Sequence, residues 1–129
     1  SNASTLTIAG QVVSTTDSAV TTIAGNWSLL ANPFPISTYL NNNVTWSGIT
    51  GGDQENDYSW QNNSPVLMTW DGSQFERYYY LADPLDANDN ILTTPGWVDG
   101  NGYMITNAIS AGNAMWLKAS TAVTATFTK

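Results

Sequence analysis

Apolar residues recur along this chain at alternate positions in short runs, and the runs are separated by Gly, Asn, Asp and Pro. A period of two sends successive side chains to opposite faces of a strand, so the pattern predicts β structure throughout. No window of about 11 residues keeps apolar positions at the spacing of an amphipathic helix. Strands are predicted at residues 6–8 and 12–13 (one strand bent at Gly10), 20–24, 27–31 and 44–46. Further strands are predicted at Val66–Trp70, Phe75–Leu81, 97–98, 103–105, Ala114–Lys118 and 123–128. Asp71-Gly72 joins Val66–Trp70 to Phe75–Leu81 as a hairpin, because that dipeptide suits a tight turn with positive φ. Residues 99–102 (Asp-Gly-Asn-Gly) predict a second hairpin. The two prolines of Asn32-Pro33-Phe34-Pro35 end the run before them. Residues 36–40, following Pro35, are the one place where a short helical turn is expected. Residues 51–64 and 83–95 read as long loops. About nine or ten short strands predict an all-β, single-domain antiparallel β-sandwich, with a small β-barrel as the alternative.

Composition narrows the chemistry. The 129 residues include no His and no Cys, which excludes imidazole-assisted nucleophiles, imidazole metal ligands, disulfides and thiol redox chemistry. Ten acidic and three basic residues leave a net charge of −7. Three cations cannot neutralise a row of phosphates, so no nucleic-acid partner is expected. No run is long and apolar enough to cross a bilayer as a helix, and no direct membrane insertion is expected. Only 10% of residues are charged, against about 25% in an ordinary globular domain. Ser, Thr and Asn, 43 residues in all, must therefore supply the wet surface, with Thr on the solvent side of strands. Such a surface points to an extracellular or cell-envelope location. Ser1-Asn2-Ala3 reads as the scar of tag cleavage, leaving residues 4–129 as one domain, a fragment of a longer secreted protein.

Three stretches stand in a suggestive order: residues 25–35 (GNWSLLANPFP), 70–80 (from Trp70-Asp71-Gly72 to Tyr80) and 109–117 (ISAGNAMWL). They resemble a motif set of predicted secreted and envelope bacterial proteins, in which a G-x-x-L-I-x-N-P-F-P strand precedes a W-D-G hairpin and a late A-F/M-W-L/V strand. The opening Ile8-Ala9-Gly10-Gln11-Val12 is similar too, so the resemblance spans most of residues 6–128. It implies a β-rich module of a large secreted or cell-surface protein, and it carries no active-site assignment because its motifs are turn and core patterns.

Candidate chemistry lies between Asp53 and Asp99, where nine of the ten acids stand with Arg77 as the only cation. Asp83, Asp86, Asn88 and Asp89 have the close spacing with which loop oxygens converge on calcium. Ile91 and Trp97 occupy the places of the glycine and bidentate Glu of an EF-type loop, so any calcium site here would be irregular; no other cofactor is expected. Asp57, Asp71 and Glu76 are the carboxylates a glycosidase-like enzyme would use, yet nothing in their spacing sets a catalytic pair, and the reading is non-catalytic. Six Trp and six Tyr are the second clue, since flat rings beside amides and carboxylates hold sugars. Alternation assigns Trp27, Trp70 and Trp116 to the core. It leaves Tyr58, Trp60, Tyr78, Tyr80 and Trp97 as candidate ligand-binding residues.

The first functional expectation is thus a non-catalytic structural or adhesion module of a secreted or cell-surface bacterial protein. Its partners would be other domains of the parent chain, cell-surface components or glycans. A carbohydrate-binding module using exposed Trp and Tyr is the second, and a carboxylate-based glycosidase-like enzyme the third.

Overall fold

The computed structural model describes residues 17–111 and 113–128; the strand expected within residues 6–13 lies outside them. Ten strands follow in order: β1 (Asp17–Thr21), β2 (Ser28–Ala31), β3 (Thr38–Tyr39), β4 (Val44–Ser47), β5 (Val66–Trp70), β6 (Phe75–Leu81), β7 (Gly96–Val98), β8 (Ala108–Ile109), β9 (Ala114–Lys118) and β10 (Thr124–Thr128). A single helical turn, α1 (Trp60–Asn63), stands between β4 and β5. The fold is all-β, with antiparallel sheets and no closed barrel. One sheet runs β1-β10-β4, the second β2-β9-β5-β6-β7, and β3 pairs with β8 as a two-stranded ribbon.

The Asp-Gly hairpin forms as the pattern predicts. β5 and β6 pair from Val66 opposite Tyr79 to Trp70 opposite Phe75, and Gly72 turns the chain with φ of 108°. Asp71 fixes that turn by accepting the backbone N–H groups of Ser73 and Gln74, both at 2.8 Å. The second hairpin is shorter, a turn at residues 99–102 with one bridge from Val98 to Met104. Residues 36–40 are not helical: Thr38 and Tyr39 form β3 instead. Asn32 explains the change, since its side chain accepts the Phe34 N–H and donates to the Ile36 carbonyl. It thereby holds the Asn-Pro-Phe-Pro segment in an extended turn. The helical turn forms at Trp60–Asn63 and stops where Pro65 follows.

A single core joins the two larger sheets. Leu30, Leu67, Met115 and Leu117 come from the five-stranded sheet, and Val44, Ala125 and Phe127 from the three-stranded one. Burial alternates strictly along β9 and β10, as two stacked sheets require. The edge strand β7 is buried along its length. Backbone at residues 103–105 bonds to its outer edge, the Ile105 N–H donating to the Trp97 carbonyl at 3.0 Å, and Asn41 adds to that cover: its amide accepts the Trp97 N–H at 2.7 Å and donates to the carbonyls of Trp97 and Ile105. Met104 completes the cover, so close that a side chain at Gly96 would meet its sulfur at 2.6 Å.

Candidate functional site

The side chains of the five-stranded sheet that point away from the core are set by strand register. Leu29, Trp116, Met68 and Arg77 stand opposite one another across β2, β9, β5 and β6. One step along, Lys118, Val66 and Tyr79 form a parallel row. Trp70 and Phe75 finish the hairpin end with ring centroids 4.9 Å apart, edge to face. This face is apolar and open: Trp27 and Trp116 are each 41% exposed, Trp70 49% and Phe75 54%. The expectation that Trp27, Trp70 and Trp116 fill the core is therefore corrected. In β9 the inward positions belong to Met115 and Leu117, and Trp116 shares its face with Lys118, which must reach water.

At the Trp27 end the face deepens into a groove of about 420 Å³. Trp27 and Lys118 stand among the residues lining one side, and Arg77, Tyr79 and the amides of Gln61 and Asn62 among the others. Two hydrogen bonds place Trp27: the Gly25 N–H donates to the Ala119 carbonyl at 2.7 Å, and the Ile23 N–H donates to Ser28 Oγ at 2.9 Å. Tyr79 is held by Trp60, whose ring meets it edge to face at 5.4 Å. Gln61 is anchored through Nε2 to the Gly100 carbonyl at 2.6 Å. These groups offer ring faces, amides and two cations on rigid elements.

The five aromatics expected to bind ligand do not form one surface. Tyr58 is wholly exposed at a loop tip, and Trp60 is half-buried against Tyr79. Tyr78 is buried on the core side of β6, where its hydroxyl donates to Glu76 at 2.6 Å. Burial, then the Glu76 contact, pushes its phenol up to about 12. Tyr80 is half-buried, with its phenol raised by burial. Trp97 is fully buried between Trp46 and Tyr80, at 5.1 and 5.3 Å. Trp97 reads as a surface aromatic only while β7 is taken for one half of an exposed hairpin; the cover from Asn41 and Met104 removes it from solvent.

The acidic loops serve their own backbone. Asp83 accepts the N–H groups of Gln54 and Glu55, at 3.0 and 2.8 Å, one on each oxygen. Asp86 accepts the N–H groups of Asn88 and Asn90 and the Asn90 amide. That amide, then the backbone donors, holds the Asp86 carboxyl below its usual range. Asp89 sits at φ of 64° and accepts the Tyr103 hydroxyl, and Asn88 contributes its backbone N–H to Asp86. Among the described residues no group of three or more acidic, His or Cys side chains is placed to hold a metal ion. Of the four residues expected at a calcium site, Asp83 thus ties two loops together, Asp86 caps its own turn with the Asn88 N–H among its donors, and Asp89 meets a tyrosine hydroxyl.

Of the three carboxylates considered for hydrolysis, Asp71 and Glu76 border one groove. Asp57 sits apart, accepting the Ser59 N–H and the Asn63 amide. Asp71 is held low by the Gln74 N–H and then by Ser73. A general acid needs the opposite shift.

No family model, curated protein or solved structure matches the chain. No helix among the described residues is long and apolar enough to cross a membrane.

Proposed function

We propose that this chain is a non-catalytic adhesion module of a secreted or cell-surface bacterial protein, and that it holds glycans on the outer face of its five-stranded sheet. One observation carries the reading: Trp70 and Trp116 stand on one solvent-facing side of the five-stranded sheet, and Trp27, just before β2, is exposed in the groove at the end of that face with Lys118 and Tyr79. Exposed apolar surface of this kind is a feature of binding sites, since an idle surface gains nothing from leaving rings in water. Rings offer the apolar faces of sugars a flat platform, and the amides of Gln61 and Asn62 offer hydroxyls a set of partners.

Leu29 and Met68, which lie in the same row as Trp116, favour a second reading. Aliphatic side chains suit protein surfaces better than sugars, and the face would then pack on another domain of the parent chain. A glycan array with the folded domain separates the two. Retention on a glycan, lost in Trp27→Ala and Trp116→Ala with unchanged thermal melting, supports the first reading. Failure of the wild-type chain to bind any glycan sinks it.

A further inference from the structure

The groove beside Trp27 is lined by two cations and, among the described residues, by no acid. Resting on the reading above that this face binds glycans, we infer that the groove takes an anionic polysaccharide, with Arg77 and Lys118 meeting its acidic groups while Trp27 and Tyr79 stack on its rings. The chain has ten acidic residues and three basic ones. Two of those three cations, Arg77 and Lys118, line this groove, and among the described residues that line it none is acidic. Chance placement on a chain so rich in acids would put carboxylates there first. Among the described residues neither cation has an ion-pair partner, although Arg77 also lines a neighbouring groove with Glu76 and Asp99.

Strand register fixes their separation. Lys118 stands opposite Val66 and Val66 opposite Tyr79, with Arg77 two residues earlier on the same face of β6. Two ladder steps sideways and two residues along put the backbone origins of the two cations about 12 Å apart. That spacing suits two acidic groups on one polymer better than a single carboxylate gripped from both sides. The stacking groups lie within the same groove: Tyr79 is on the Lys118 row, and Trp27 lines the same space as Lys118. The amide of Asn62 has no partner among the described residues and is open to hydroxyls. The net charge of −7 opposes indiscriminate attraction of polyanions. Binding of an acidic chain must therefore come from a local feature, and this groove is where the described cations gather.

The test compares polygalacturonate with its highly methyl-esterified form, which keeps the backbone and removes the charge. Dextran sulfate serves as a sulfate-bearing arm, and polyglutamate as a polyanion without sugar. Affinity electrophoresis and calorimetry are run on the wild-type chain, on R77Q/K118Q and on Trp27→Ala. We expect the wild type to prefer an acidic polysaccharide, carboxylated or sulfated, over the neutral ester. R77Q/K118Q should lose about five- to tenfold in affinity for it, as two exposed charge contacts allow, while keeping its grip on the neutral polymer. Trp27→Ala should weaken both. Equal binding of acid and ester, or a preference the double substitution leaves intact, overturns the charge inference and leaves the glycan reading standing. No binding of any polysaccharide overturns both. Equal affinity for polyglutamate shows mere ion exchange and overturns the inference. So does a wild-type dimer in sedimentation that R77Q/K118Q dissolves, because the groove's occupant is then an acidic loop of a second copy.

Discussion

The two larger sheets cover one core but show solvent different outer faces. On the three-stranded sheet that face carries Thr21, Thr45, Ser47, Thr124 and Thr126, with the Thr21 and Thr124 hydroxyls 3.0 Å apart. The five-stranded sheet shows Leu29, Trp116, Met68, Trp70 and Phe75 instead. Both solve the same folding problem, since strand alternation needs only that the inward positions be apolar. Thr is the ordinary answer for the outward ones, being branched enough for a strand and polar enough for water. The aromatic answer leaves apolar area exposed that folding did not require. The difference between the faces is what stability leaves unexplained, and it is the ground on which we propose the five-stranded sheet as the binding one.

The largest effect expected divides the two sides of that sheet. Met115→Ala, which empties a fully buried site, should cost about 2–5 kcal/mol, while Trp116→Ala one residue along, at a position 41% exposed, should cost less, about 1–2 kcal/mol. Urea unfolding measures both, and similar values would erase the distinction. Asn41→Ala comes next, at about 1–3 kcal/mol, because the Trp97 N–H and the Ile105 carbonyl lose the Asn41 amide, and the Trp97 carbonyl is left with the Ile105 N–H alone. A smaller loss is expected in ligand binding. Trp27→Ala should weaken glycan affinity about tenfold, or ~1.4 kcal/mol, while Thr126→Ala on the other sheet changes nothing. The Trp70 and Phe75 rings should couple by about 0.5–1.5 kcal/mol in a double-mutant cycle read by unfolding.

The smallest effect is acid weakening of the loops attached to the aromatic sheet. Asn56, first through its side chain and then its backbone, lowers Asp53; backbone and amide donors likewise lower Asp71 and Asp86. A carboxyl depressed by folding adds stability that is fully present above its unfolded value near 3.8 and is lost as pH falls through the folded value. Hydrogen exchange between pH 5 and 3 should show the loops around these residues opening before β10 does; simultaneous opening would contradict the assignment.

Much of the fold was legible in the sequence. Val66–Trp70, Phe75–Leu81 and Ala114–Lys118 stand where alternation put them, because period two survives whatever the sheet packs against. The phase of the Trp residues was not legible from hydrophobicity alone, since a ring reads as core on any scale. Lys118 beside Trp116, and Arg77 between Phe75 and Tyr79, were the signal available, because a cation marks the wet side of its strand. The burial of Trp97 rests on Asn41, 56 residues away, and no local pattern announces such a contact. Asn41-Asn42-Asn43 forms a turn in which the Asn42 and Asn43 N–H groups donate to the Tyr39 carbonyl; the added role of Asn41 in covering β7 belongs to tertiary structure.

On our proposal, ligand meets the outer face of the five-stranded sheet. Indole N–H resonances of the six Trp residues, followed during titration with a polysaccharide that the chain retains, test it most directly. The indoles of Trp27, Trp70 and Trp116 should shift, while those of Trp46, bonded to the Leu40 carbonyl, and of buried Trp97 should stay in place. Shifts absent from the first three indoles, with changes appearing instead at backbone amides of Thr45, Thr124 and Thr126, would contradict it.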